Sequence, residues 1–270
     1  MKIAFIGDSF CADSGPLATD YAGFLGYPDI VAKWFNAEIL ATGRAGSCLY
    51  HSYKDLLEVV DEADYIIFCV TDPYRLPNRH SVGLNLRTIE DELEKIKDPS
   101  YEFGGVNNDW NNRGTIVDPD IQLNMIKIAN LYYNDIADFD YMQIMHTLLL
   151  KEIDQLMIEK EKKCIWFESM AHCFCDYLPV SGLRCNTELS HSALNIKVMH
   201  EEPTLNHGKD AENKRMANVI IDLISHDSFE PREFDMLTYF QDAEVLKVRE
   251  PNPHRPADGK AFSVTDLSQV

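Results

Sequence analysis

Two residues of this chain have the types that covalent acyl chemistry needs, and they stand far apart in the sequence. Ser9 ends the run Lys2-Ile3-Ala4-Phe5-Ile6-Gly7-Asp8-Ser9, and His207 lies in Leu205-Asn206-His207-Gly208. A serine hydroxyl becomes a nucleophile when a base takes its proton. An imidazole, with an unperturbed pKa of roughly 6.5, can take it near neutrality and return it to a leaving group. The surrounding residues indicate how the two can meet. Ile3, Phe5 and Ile6 form the short apolar run of a strand covered on both faces. Gly7 permits a sharp turn, and polar residues follow at the carboxyl end of the strand, where open α/β sheets place their ligands. After His207, Met216, Val219, Ile220, Leu223 and Ile224 recur at helical spacing. His207 is therefore expected in a loop that enters an amphipathic helix packed on the sheet. Taken alone, each signal has a plainer reading: Ser9 as a helix cap, and Asn206-His207 as a surface turn.

A second segment adds weight. Ala37 to Ala41 reads as a strand, and Thr42-Gly43-Arg44-Ala45-Gly46-Ser47 follows it. Two glycines three apart suit a tight loop whose backbone N–H must point into a site. In this order along the chain, Gly7-Asp8-Ser9, the glycine loop and His207 resemble the SGNH (GDSL-type) hydrolases. The resemblance spans residues 1 to about 75 and about 198 to 224. It implies Ser9 as nucleophile, His207 as base and then acid, and Gly46 as a backbone oxyanion donor with Gly43 in reserve. It also implies a serine esterase that needs no cofactor, acting on an ester such as an acylated carbohydrate or lipid.

Two blocks depart from the family pattern. Asp64 to Val70 is a good buried strand, but it runs into Thr71-Asp72-Pro73-Tyr74-Arg75 where the family carries Gly-x-Asn-Asp. Thr71 can donate a hydrogen bond, an ionised Asp72 can only accept, and Arg75 can offer positive charge. Three residues before His207 stands Thr204 rather than aspartate. Glu202, bent back by Pro203, is the candidate acid, and Asn206 can orient the ring more weakly. A Ser-His-Glu triad, a Ser-His dyad and an inactive relative that serves as a binding or structural module all fit these residues. A nucleotide- or phosphate-binding flavodoxin-like domain is a further rival, though such a loop usually needs more glycine than Gly7-Asp8-Ser9-Phe10 offers.

Composition narrows the classes. With 270 residues and 45% hydrophobic content, the chain can bury a full α/β core as one domain. A formal net charge of -19 argues against a nucleic-acid partner and against docking on anionic membranes. No apolar stretch reaches the roughly 18–20 residues of a membrane span, and Lys2 leads straight into the first strand without a cleavage region. The seven cysteines are odd in number and irregularly spaced, which fits reduced thiols and a cytoplasmic protein. A virion protein would lack a signal segment as well.

The expected architecture is a three-layer α/β/α, flavodoxin-like fold with a parallel sheet of about five strands. Residues 1–226 form the hydrolase-like domain, residues 76–162 an inserted loop and helices, and 227–270 a C-terminal helix and extended tail. The segment from Asp98 to Asp120 is rich in Gly, Asn, Asp and Pro and reads as a lid, a binding loop or an interface, with simple surface irregularity as the plainer reading. Ile121 to Glu161 reads as long helices that either cover the sheet or form a homo-oligomer surface. Cys164 to Glu168 is expected as a fourth strand and Ile196 to Met199 as a last short one. Phe234, Met236, Leu237, Tyr239 and Phe240 suggest a docking helix. His172-Cys173-Phe174-Cys175, with Cys185 or His191, matches no common zinc-ligand spacing, so no metal site is assigned.

Overall fold

The computed structural model describes residues 1–12, 25–44, 47–75, 77, 119–169, 173–185, 210–226 and 229–234. Among these, six parallel strands form one sheet: β1 (Lys2–Ile6), β2 (Glu38–Ala41), β3 (Tyr65–Val70), β4 (Lys163–Glu168), β5 (Leu183–Cys185) and β6 (Arg232–Phe234), in the order β2-β1-β3-β4-β5-β6. The helices between them are α1 (Tyr27–Phe35), α2 (Leu49–Val59), α3 (Pro119–Asp135), α4 (Phe139–Glu159) and α5 (Asp210–Ser225). This is the expected three-layer, flavodoxin-like arrangement.

Strand alternation splits the core into two layers. Ile3, Phe5, Ile67, Cys69, Ile165 and Phe167 face α1 and α5, meeting Val31, Met216 and Ile220. Ala4, Ile6, Ile66, Phe68, Cys164 and Trp166 face the other way, toward Leu56 of α2 and Leu150, Ile153 and Met157 of α4. Strands buried on both faces must be apolar at nearly every position, which is why β1, β3 and β4 are continuous hydrophobic runs. The helices need only one apolar stripe each. Among the described residues, no helix is long and apolar enough to cross a membrane.

The structure refines the sequence reading in places and differs from it at Phe234. Among the described residues the sheet has six strands, near the five expected; β5 and β6 are three-residue segments, Leu-Arg-Cys and Arg-Glu-Phe, with no apolar run to announce them. Phe234 belongs to β6, paired with Cys185, rather than to a docking helix; partner strands decide such short segments more than local preference does. Within the region read as an insertion, α4 is the regular crossover helix between β3 and β4 and closes one face of the sheet. Its outer side exposes Tyr141, Ile144, Met145 and Leu148. The segment Ile196–Met199, the loop 98–118 and the residues from Met236 onward lie outside the described residues.

Candidate active site

In the order β2-β1-β3, the chain leaves β1 toward one neighbour and returns on the other side, so the carboxyl ends of β1 and β3 flank the topological switch point of the sheet. Ser9 sits there. It opens the 3-10 turn Ser9–Cys11 directly after β1 and is half-buried. Gly7 makes the turn possible: its φ is +146°, and a Cβ at this position would stand 2.4 Å from the Cys69 carbonyl oxygen. Asp8 then caps the turn, its Oδ1 accepting from the Phe10 N–H at 3.1 Å.

The loop after β2 is tied to this turn by backbone hydrogen bonds. The Arg44 N–H donates to the Gly7 carbonyl at 3.1 Å, and the Gly43 N–H to the Cys11 carbonyl at 2.9 Å. A Cβ on Gly43 would lie 2.3 Å from the Asp8 carbonyl oxygen and 2.4 Å from Cys11 Sγ, so only glycine fits. The same contacts remove Gly43 as a reserve oxyanion donor, because its N–H is already committed to Cys11. Arg44 leans outward instead and pairs with Asp55 of α2.

The third strand end completes the cluster. Thr71 is fully buried, and its hydroxyl donates to the Ser47 carbonyl at 2.8 Å. Asp72 is half-buried and caps its own turn, accepting from the Tyr74 N–H at 2.8 Å. Arg75 is buried, and its Nη1 lies 2.8 Å from Asp8 Oδ2, 2.8 Å from the Ser47 carbonyl and 2.9 Å from Thr71 Oγ1. Its Nε–H is buried with no acceptor among the described residues. One guanidinium therefore ties together the ends of β1 and β3 and the loop after β2. Beneath it, burial and the hydrogen bond with Cys11 push the Cys69 thiol well above its usual range, so it stays protonated under the turn.

Of the residues read from sequence, Ser9, Thr71, Asp72 and Arg75 thus line the same sheet edge. His207, Glu202 and Gly46 lie outside the described residues. Asp8 and Ser47, which organise the cluster, were missed as contributors. The signal was nonetheless present: a charged residue immediately after a buried strand needs a countercharge, and Arg75 follows the neighbouring strand. Among the described residues, no group of three or more His, Cys, Asp or Glu side chains is placed to hold a metal. All seven cysteines are free thiols. Comparison of the chain with family models, curated proteins and solved structures finds no match.

Proposed function

We propose that the protein is a serine hydrolase that cleaves an ester, such as an acylated carbohydrate or lipid. Ser9 attacks the carbonyl carbon; His207 takes the hydroxyl proton and then gives it to the departing alcohol, and water releases the acyl group by the same route in reverse. Glu202 is the candidate for orienting the imidazole, and without it a Ser-His dyad carries the reaction. The N–H groups of Ser9 and Gly46 are proposed to hold the oxyanion, on the rim bordered by Thr71, Asp72 and Arg75. The observation that carries this reading is the Ser9 turn at the switch point, laced to the glycine loop by the Arg44–Gly7 and Gly43–Cys11 hydrogen bonds.

A fluorophosphonate probe tests it, since such probes form a covalent bond only with an activated serine. The wild-type protein is expected to label and to hydrolyse p-nitrophenyl acetate, and Ser9→Ala to do neither. His207→Ala should lower both rates by at least about 10³-fold, as expected of a base that acts with its nucleophile as a unit. A second reading, a scaffold without turnover, draws on the end of β3: Thr71 or Asp72 stands in the sequence where the resembled family carries its oxyanion asparagine, and the Thr71 hydroxyl already serves Ser47. An unlabelled wild-type protein with an intact fold would favour that scaffold.

A further inference from the structure

We propose that Arg75 is a positioning residue for Ser9, acting through Asp8 and Ser47 rather than by touching the reacting atoms; this rests on the hydrolase reading above. The Asp8 carboxylate has two tasks, one on each oxygen. Its Oδ1 holds the Phe10 N–H, which fixes the turn that Ser9 begins, while its Oδ2 is held by Arg75 at 2.8 Å. The same Nη1 also reaches the Ser47 carbonyl, in the loop that carries the proposed oxyanion glycine. Thr71 completes the knot, accepting from Arg75 and donating to Ser47. Nucleophile turn and glycine loop are thereby referred to one rigid, planar cation.

Stability alone is a poor reason for this arrangement. Desolvating two charges is costly, and well-packed apolar residues often do as well or better in such places. Asp8 and Arg75 are both buried, and the Arg75 Nε–H is left without an acceptor among the described residues. What the ion pair supplies is direction. All three contacts come from one Nη1 held in place by a rigid, planar guanidinium, and the flexible lysine stem does not hold its ammonium at a fixed point in the same way. Without the guanidinium, the Asp8 carboxylate loses its anchor and the turn that aims the Ser9 hydroxyl and N–H is free to relax.

The test compares Arg75→Lys and Arg75→Met with Asp154→Asn, a substitution at a buried carboxyl group elsewhere in the sheet's helical cover. The measurements are the fluorophosphonate labelling rate, kcat and KM on p-nitrophenyl acetate, and the thermal midpoint, all taken where each variant is folded. Both Arg75 variants are expected to lose about 10²-fold in labelling rate and kcat, the order of cost of misplacing a nucleophile by roughly 1 Å, with KM changed less than about twofold. Asp154→Asn should keep the wild-type labelling rate despite its lower midpoint. Should Arg75→Met fail to fold, Arg75→Lys carries the test. The proposal is overturned if the folded Arg75 variants label at the wild-type rate, if their loss sits in KM, which would mark direct substrate contact, or if labelling simply tracks midpoint across all three variants. A wild-type protein that never labels would instead remove the hydrolase reading, and this inference with it.

Discussion

Asp8 and Asp154 are both completely buried carboxyl groups, yet the structure treats them in opposite ways. Asp154, on α4, is satisfied by neutral donors alone. Its Oδ2 accepts from the Tyr177 hydroxyl and the Val180 N–H, and its Oδ1 from the Ser181 N–H and hydroxyl. All four donors come from the segment that leads into β5, and the Trp166 indole of β4 donates to the Ser181 carbonyl. Asp8 has one backbone donor and one cation, each from a different part of the sheet edge. The Asp154 site gathers a local segment and pins it to a helix. The Asp8 site joins three separate strand ends at the place where Ser9 stands. A buried carboxyl group can thus gather one local segment or join several strand ends, and the second arrangement is the one the proposed hydrolase would need around Ser9.

The largest effect on stability should come from the first kind. Asp154→Ala leaves two buried donors, the Ser181 N–H and hydroxyl, and two partly buried ones without an acceptor, each buried one costing on the order of 1–3 kcal/mol less whatever local relaxation recovers. We expect a net loss of about 4 kcal/mol, read by urea denaturation at neutral pH. The Tyr177 phenol, whose pKa burial and then the Asp154 hydrogen bond raise well above its usual range, should ionise more easily in this variant. A loss under about 1 kcal/mol would mean that the four hydrogen bonds are replaceable by water, and the contrast with Asp8 would disappear.

Gly7→Ala probes the other side of the comparison. The added methyl would meet the Cys69 carbonyl and Cys11 Sγ, at 2.4 and 2.9 Å, in a backbone conformation that non-glycine residues rarely adopt. A cost of about 3 kcal/mol is expected. Here, unlike at Asp154, the rate should fall as well, because any shift that relieves the clash moves the turn containing Ser9. Retained labelling by a folded Gly7→Ala protein would show that the turn tolerates displacement and would weaken the case for a precisely aimed serine.

The same contrast explains what could be read from the sequence. β1, β3 and β4 were legible because burial on both faces leaves an apolar run that little else produces. The place of Ser9 at the carboxyl end of β1 was legible because a Gly-Asp-Ser follows such a run. β5 and β6 were not, since Leu183–Cys185 and Arg232–Phe234 become strands only by pairing with neighbours. The interactions that deliver β5 are equally non-local: Asp154 and Ser181 lie 27 positions apart. Asp8 and Arg75 are separated by 67 positions; each follows a buried strand, but only the pairing of β1 with β3 brings the two strand ends together. Element types follow from local periodicity; the polar knots that hold elements together follow from topology.

His146 gives the smallest effect and the finest test of the comparison, because it lies eight positions before Asp154 on the same buried face of α4. Its Nε2, 2.8 Å from the Cys173 carbonyl, donates there in the neutral ring, so α4 pins the 173–181 segment at both ends. Burial pushes its pKa down to about 4, against a smaller opposing contribution from that hydrogen bond. The ring is neutral in the folded protein at pH 7. Above the unfolded value of roughly 6.5, neither state holds the proton and His146 adds no pH dependence. As pH falls from there to about 4, the unfolded chain takes up a proton that the folded protein refuses, and stability drops by on the order of 2–3 kcal/mol. His146→Gln retains a side-chain N–H for the Cys173 carbonyl but cannot titrate. Its stability curve, measured by urea denaturation from pH 7 to pH 4, should lack that part of the acid slope. Equal slopes for wild type and variant would mean that the folded ring takes up its proton over the same pH range as the unfolded chain, so that burial does not keep the α4 side of this contact neutral.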